Sequence, residues 1–475
     1  MKTPYPHQFN LINELRSAFS SGYKSVLVQG ATGIGKTVIS SHVIHGAQSK
    51  GNRAIFCVHR DNLIKQTANT FHEDGIQFGL IKSGVEYDPK FTVHIASAQT
   101  LVKHLDSIEV PTIFFVDECH LSASTTYKTI IDYYRERGVL IVGCSGTPMR
   151  LDGKPLSDLF DTMVQGPSVR WLIDNGFLSE FKYYAPTVPD LSGIKKIAGD
   201  YAKNELAERL GGRKLVGDVI SHYKKLAHGK ITIVYCVNIN HSEMVADQFN
   251  EAGIAAAHID GGTPKDEQKR IFNAVADGEI LVLCSVQLVT EGFDLAAQTG
   301  RDVTIECVIL LRATHSLALY LQMIGRALRR KKNPAIILDH GGNVLKHGMP
   351  DDERVWSLDG KQDGNSSSDQ GEIKPPIICE SCYQAIPHPY PDNCPYCNAD
   401  LKTHPKVIEI IEGELQEIKE AERLAIKEKL KQEEREAKTL NDFIAIAQKR
   451  GYKNPSHWAN KKTAGRAMRH KRLEG

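Results

Sequence analysis

Short, largely apolar runs alternate with amphipathic stretches over the first 340 residues of the chain. Residues 7–21 set Phe9, Leu11, Ile12, Leu15 and Phe19 at roughly helical spacing, so a helix should precede the first strand. The runs at 26–29, 54–58, 92–96, 112–116 and 139–144 are rich in β-branched and aromatic residues without polar alternation. That is the pattern of strands buried on both faces of a parallel sheet. Helical stretches fall between them, at 38–44 and after Leu63. Beyond residue 150 the rhythm weakens, and Trp171, Tyr183, Tyr184 and scattered Pro and Gly mark 151–212 as a bridging segment. It resumes near Lys214, with strands expected at 231–236, 280–284, 307–311 and 335–339. The fold class is therefore α/β, with two tandem parallel-sheet lobes at 1–150 and 213–356.

Polar residues at the strand ends turn this pattern into candidate chemistry. Gly30-Ala31-Thr32-Gly33-Ile34-Gly35-Lys36-Thr37 lies between a strand and a helix as a Gly-x-x-x-x-Gly-Lys-Thr loop. Its glycines let backbone N–H groups close around phosphate oxygens, Lys36 offers a point charge to the terminal phosphates, and Thr37 offers a hydroxyl to magnesium. The strand at 112–116 delivers Asp117 and Glu118. Asp117 suits magnesium held through water, and Glu118 suits the orientation and deprotonation of an attacking water. Ser145 and Thr147 end the strand at 139–144. Open parallel sheets present ligand-binding groups at such ends, which makes Arg60, Gln99 and Thr100 candidates for contact with a nucleic-acid backbone. Helix capping is the alternative role for the same residues.

The second lobe has Val237-Asn238-Ile239-Asn240 where the first has its phosphate loop. It should close over the nucleotide held by the first lobe instead of binding its own. Two features suit it to that: the loop Thr290-Glu291-Gly292-Phe293-Asp294, and a helix over 320–330 that sets Gln322, Arg326 and Arg329 near one face. Arginines that reach a γ-phosphate across a cleft act as arginine fingers; a basic helix is otherwise a solvated face.

Composition narrows the picture further. At 475 residues, two or three domains are expected, and a net charge of +2 means that any nucleic-acid surface is local. No apolar run approaches the roughly 18 residues of a membrane span, and residues 1–7 lack a signal-peptide core, so a cytoplasmic protein is expected. Cys57, Cys119, Cys144, Cys236, Cys284 and Cys307 sit singly in or beside apolar runs, as small hydrophobes. Cys379-x-x-Cys382 and Cys394-x-x-Cys397, eleven residues apart, have the spacing of a closed, structural four-thiolate zinc ribbon over 377–402. A polar linker at 357–376 precedes it, and 403–475 reads as a charged helix and a basic tail. From Lys449 onward nine basic residues stand against Glu474 alone, with Tyr452 and Trp458 interleaved, which suits phosphate contact or simply solubility.

Taken in order, these motifs resemble those of the superfamily 2 helicases. Gly30 to Thr37 is similar to motif I, Asp117-Glu118-Cys119-His120 to the Asp-Glu-x-His form of motif II, Ser145-Gly146-Thr147 to the Ser-Ala-Thr of motif III, and Gln322 to Arg329 to Gln-x-x-Gly-Arg-x-x-Arg of motif VI. Met323 stands where many members carry arginine, and Gly146 where alanine is usual. The resemblance implies two RecA-like lobes, ATP hydrolysis with magnesium, and an adenine-reading role for Gln8. Asp339-His340-Gly341-Gly342-Asn343 and the four cysteines look most like the RadD-type DNA repair helicases and their phage relatives. That implies single-stranded, forked or branched DNA as the track, with repair or replication proteins as candidate partners and no membrane. RNA helicases of the Asp-Glu-Ala-Asp type are the rival, which motif II argues against. A nucleotide-gated DNA-binding switch is the non-enzymatic alternative.

Overall fold

A computed structural model describes residues 1, 3–59, 61–121, 125–150, 155–186, 191, 194, 196–197, 200–202, 205–206, 210, 213–286, 295–359, 374–401, 437 and 439–449. Packing divides the chain into one unit over Met1–Ala399 and a second over Asp400–Gly475.

In the first unit, helix α1 (Pro6–Ser20) leads into β1 (Ser25–Gln29), α2 (Lys36–Gln48), β2 (Ala54–Val58), α3 (Asp61–Glu73), β3 (Gly79–Ile81), β4 (Val93–Ser97), β5 (Ile113–Val116), α4 (Thr125–Glu136), β6 (Leu140–Ser145) and β7 (Thr162–Gln165). These strands form one sheet in the order β3-β4-β2-β5-β6-β1-β7. Every pairing in it is parallel, and β1, β2, β4 and β5 are buried along their whole length, which is why β2 and β5 read as unbroken apolar runs. A fully buried side chain of this kind, such as Phe115 or Val142, contributes about 1.5–3 kcal/mol.

Helix α5 (Val169–Asp174) then leads to β8 (Phe181–Tyr184), a short hairpin β9 (Lys196–Ile197) and β10 (Asp200–Tyr201), and helix α6 (Arg213–Leu226). The second sheet uses β11 (Thr232–Tyr235), β12 (Ala256–Ile259), β13 (Val282–Ser285), β14 (Cys307–Leu310) and β15 (Ala335–Asp339), in the order β12-β13-β11-β14-β15-β8, again all parallel. Helices α7 (Ile239–Glu251), α8 (Lys265–Ala276), α9 (Leu317–Gly325) and α10 (Asn343–His347) belong to the same lobe, with a further short helix at Leu295–Thr299. The stretch expected to be a bridge thus supplies an edge strand to each sheet: β7 beside β1, and β8 beside β15. The beginning of the expected linker is also anchored. Leu358 packs against the first-lobe core, and its carbonyl accepts from Leu156 N at 2.7 Å and Ser157 N at 3.1 Å.

A small antiparallel pair, β16 (Ile377–Ile378) and β17 (Ala385–Ile386), frames the cysteine module. In the second unit the described helix Leu440–Lys449 packs Phe443 with Ala437, and Thr439 and Asp442 exchange capping hydrogen bonds. The charged helix expected up to residue 437 and the basic tail beyond Lys449 lie almost wholly outside the described residues. Among the described residues, no helix is long and apolar enough to cross a membrane.

Candidate active site and metal centre

The tips of three adjacent strands converge. β5 ends in Asp117 and Glu118, β6 in Ser145, and β1 in the glycine loop, whose Gly30 N donates to the carbonyl of Ser145 at 2.9 Å. Gly33 and Gly35 adopt φ of 94° and 87°, the left-handed region that a side chain would strain. Gly35 caps α2, so the first helical N–H groups after it, from Lys36 on, open towards the loop with no acidic residue in the first turn. A helix start of this kind is an anion site.

Lys36 Nζ lies 3.9 Å from Glu118 Oε1. Glu118 itself has φ of 48°, a strained backbone for a non-glycine residue, and its Oε2 stands 3.4 Å from His120 Nδ1. His120 Nδ1 is 3.0 Å from Ser145 Oγ, which accepts from Thr147 N at 3.1 Å. One chain of contacts therefore joins Lys36, Glu118, His120, Ser145 and Thr147. Asp117 sits beneath it. Burial and then the neighbouring Glu118 charge push its carboxyl up to about 6, against the opposing pull of Lys36. A carboxylate so poorly compensated is suited to a divalent cation, and Thr37 lies in the first turn of α2. Cys57, Cys119 and Cys144 lie buried around it, with burial the main cause raising their thiol pKa values, and are inert packing groups.

Gln8, in the first turn of α1, is buried against the loop. Its Nε2 donates to the carbonyl of Ile34 at 2.7 Å, and its Oε1 accepts from Tyr5 N at 2.9 Å. Next to it stands an aromatic group that sequence reasoning missed. Tyr5 and His7 meet Phe177 at 4.9 and 4.4 Å, and Trp171 stacks on Phe177 at 5.9 Å. Tyr5 and Trp171 keep exposed faces. The signal was present in the aromatics of 171–177, but their partner lies about 170 residues earlier.

The second lobe reaches the loop through α9. Gly325, its last residue, packs on Thr32 so closely that a Cβ there would stand 2.5 Å from Thr32 Cγ2. Gln322 and Arg326 are both buried near this end of the helix. The expected helix over 320–330 is corrected here: it stops at Gly325, and the chain then extends, with Ser179 N donating to the carbonyl of Leu328 and Arg329 bridging to Leu178. Arg329 consequently does not share a helical face with Gln322 and Arg326. Gly292, Asp294 and Arg60 lie outside the described residues. Gln99 and Thr100 fall on the short helix Ala98–Leu101 at the end of β4, Gln99 exposed and Thr100 partly so.

The tip of β11, where a second phosphate loop would lie, is filled differently. Val237 is covered by Leu206 and Leu210, and Asn238 caps α7 by accepting from His241 N at 2.9 Å.

The four cysteines form one cluster, with all ligand atoms within 4.8 Å of one another. Cys379 and Cys397 sulfurs are 3.6 Å apart, and those of Cys382 and Cys394 3.7 Å. A tetrahedral zinc with Zn–S bonds of about 2.3 Å needs sulfurs about 3.8 Å apart, so the residues fit this metal. Each Cys-x-x-Cys turn closes alike, with Tyr383 N and Asn398 N donating to the carbonyls of Cys379 and Cys394, and with positive φ at both residues.

Comparison with known proteins agrees with this geometry. Residues 1–150 match the family described as type III restriction enzyme, res subunit, and residues 214–331 match the helicase conserved C-terminal domain. A 51.5 kDa protein of a Lactococcus phage (isolate 7-9) is 32% identical over 430 residues, covering 90% of this chain and 89% of its own length. The chain belongs to the superfamily 2 helicases. This helicase is also 27% identical over 359 residues to IRC3 of Saccharomyces cerevisiae, whose name designates a candidate ATP-dependent helicase; the match covers 71% of this chain and 51% of the yeast protein. Its fold resembles that of the ATP-dependent type ISP restriction-modification enzyme LlaBIII bound to DNA, with a TM-score of 0.53 and 14% identity over 71% of this chain and 28% of that one. As a class, the helicase is an ATP-hydrolysing enzyme with two RecA-like lobes.

Proposed function

We propose that this helicase hydrolyses ATP at the face between its lobes to move along, or remodel, DNA. The observation that carries the proposal is the seating of α9 on the phosphate loop at Gly325 and Thr32, beside the Lys36–Glu118 pair. Hydrolysis needs groups from both lobes around one γ-phosphate, and this contact brings the lobes to the same loop.

In this account the exposed Tyr5 and Trp171 rings, packed on His7 and Phe177, offer the adenine a stacking surface, and Gln8 reads its edge by exchanging one of its two backbone hydrogen bonds. The loop Gly30, Thr32, Gly33 and Gly35 wraps the phosphates, while Lys36 neutralises the terminal ones. Thr37 and Asp117 would hold magnesium, which would supply positive charge to offset that of the phosphates. Glu118, oriented by His120, takes the proton of the attacking water. Arg326 meets the γ-phosphate from the second lobe with Gln322 beside it, Arg329 is a second candidate from the extended chain beyond α9, and Gly292 and Asp294, outside the described residues, are candidates for nucleotide contact. Gln99 and Thr100, with Arg60 outside the described residues, are the candidates for contact with the DNA backbone, and Cys379, Cys382, Cys394 and Cys397 would hold zinc, which would supply the folding energy of the ribbon. Work in DNA repair, recombination or replication belongs to the same proposal, as do a ribbon at 377–402 and two lobes whose expected bounds, 1–150 and 213–356, are extended by β7 and β8.

The test compares ATP turnover without nucleic acid and with single-stranded DNA, forked DNA or RNA. Strong stimulation by DNA is expected. Stimulation by RNA alone would favour an RNA helicase, and none by either would leave a nucleotide-gated switch. Lys36→Ala and Glu118→Gln should each cut turnover by about a hundredfold or more. Wild-type turnover in either would defeat the assignment.

A further inference from the structure

We infer that Asp200 is a positioning residue for ATP hydrolysis, holding the turn from which α9 carries Gln322 and Arg326 to the phosphate loop. The inference rests on the ATPase reading above. Asp200 comes from the hairpin β9–β10, in the stretch between β8 and α6. Its carboxylate accepts from three donors on one turn of the second lobe: His315 N at 2.7 Å, Thr314 Oγ1 at 2.9 Å and Arg312 Nη2 at 3.4 Å. The Tyr201 ring packs 4.2 Å from that of His315. Leu206 and Leu210 cover Ala313 from the same side.

The turn is gripped from behind as well. Asn343 accepts from Thr314 N at 3.0 Å and donates to the carbonyl of Arg312 at 3.0 Å, while His347 Nε2 lies 2.8 Å from the carbonyl of Thr314. With that grip in place, Thr314 Oγ1 accepts from Ser316 N at 3.0 Å, and Ser316 Oγ accepts from Leu319 N at 3.2 Å as the cap of α9. Thus Asp200 bonds Thr314, Thr314 bonds Ser316, and Ser316 starts the helix. From there α9 runs nine residues, about 13 Å, to the Gly325 contact with Thr32. A packed helix moves as a rod, so a shift at its capped end appears at Gln322 and Arg326. A misplacement of about 1 Å at a catalytic group costs up to about a hundredfold in rate.

A merely structural staple would show itself as lost stability or lost nucleotide affinity. A positioning residue lowers turnover while leaving ATP binding in place. Asp200→Ala leaves the buried Arg312 guanidinium without its carboxylate, so Asp200→Asn and the double variant Asp200→Ala/Arg312→Gln are measured beside it. The expected result is a fall in kcat of about tenfold to a hundredfold in Asp200→Ala and in the double variant, a smaller fall in Asp200→Asn, and a KM for ATP within about twofold of wild type. Amide exchange across 312–321 should quicken in all three variants. Wild-type kcat in Asp200→Ala would overturn the inference, as would unchanged exchange at 312–321 or a loss of ATP binding that tracks the loss of turnover. A wild-type protein without ATPase activity would instead sink the functional reading, and the catalytic meaning of Asp200 with it.

Discussion

Gly146 and Gly325 both stand against the phosphate loop, yet they leave different room. A Cβ on Gly146 would meet the Gly30 carbonyl, Lys36 Nζ and Thr32 Oγ1 all at 3.5 Å, an ordinary contact. One on Gly325 would stand 2.5 and 2.7 Å from the Cγ2 and Cβ of Thr32, closer than atoms approach. Gly146→Ala, which restores the residue usual in motif III, should therefore keep turnover within about twofold, since no atom must move. Gly325→Ala must push α9 off the loop, and a fall in kcat of about tenfold or more is expected. Steady-state ATPase kinetics of the two variants decide it; equal activity would mean that the lobes do not meet at this contact during turnover. Gly146 stood out in the sequence as a departure from motif III and Gly325 did not, because the Thr32 methyl that makes it matter lies almost 300 residues before it.

Among the elements, those whose cause is local were open to prediction, and those whose cause is a distant partner were not. Lys36, Asp117 and the four cysteines each belong to a stretch of a few residues whose spacing states the chemistry. The unbroken apolar runs of β2 and β5 declared strands buried on both faces. By contrast β7 and β8 are four residues each, only partly buried, and join sheets whose other strands lie far along the chain. The end of α9 was missed for the same reason: the residues beyond Gly325 are held by Leu178 and Ser179, not by helix propensity. β8 also ties the cysteine module to the second lobe. Ala185 N donates to the Tyr383 carbonyl at 2.9 Å, Tyr184 bridges to Gln384, and the Tyr383 ring meets His222 of α6 at 5.6 Å. An edge strand is thereby covered. Cys394→Ser should abolish the expected one equivalent of zinc and unfold the ribbon. It should also destabilise the β8 edge by about 1–2 kcal/mol, through lost backbone hydrogen bonds. Metal analysis together with amide exchange over 181–185 tests both parts. Undiminished zinc contradicts the four-thiolate site, and unchanged exchange contradicts the clamp on β8.

Among the described residues of the first unit, two connections between the lobes run along neighbouring paths. The first crossing runs from β7 through α5 to β8; the second leaves α10 and returns Trp356 and Leu358 to the first lobe. They are tied together: Arg170 Nε and Nη2 both donate to Asp351 Oδ2, at 2.9 and 2.6 Å, and Gln165 Nε2 donates to the Trp356 carbonyl at 3.3 Å. A cavity of about 190 Å³ lies between these limbs and the phosphate loop, lined by Thr32, Thr147, Ser168, Gly325, Arg354 and Trp356. The lobes are therefore joined by a two-limbed connection beside the phosphate loop, and if they close during turnover these tied limbs are where the chain must bend. The two-lobe plan was visible in the repeated strand rhythm, but the returning limb was not, since Trp356 falls at the end of the stretch read as the second lobe and Leu358 in a polar stretch that reads as linker. Arg170 is partly exposed, so the pair is worth only about 0.5–1 kcal/mol after solvent screening. Against a closing step that sets the rate, that is about a two- to fivefold effect. Asp351→Arg should lower turnover by about that factor and more steeply at low salt, because like charges then face each other across the hinge. Reversing the partner as well, in Arg170→Asp/Asp351→Arg, should recover most of the loss, and the double-mutant cycle isolates the hinge pair from any effect of either residue alone. If the double variant is as slow as the sum of the two single variants, the limbs do not act together and closure is governed at the α9 contact alone.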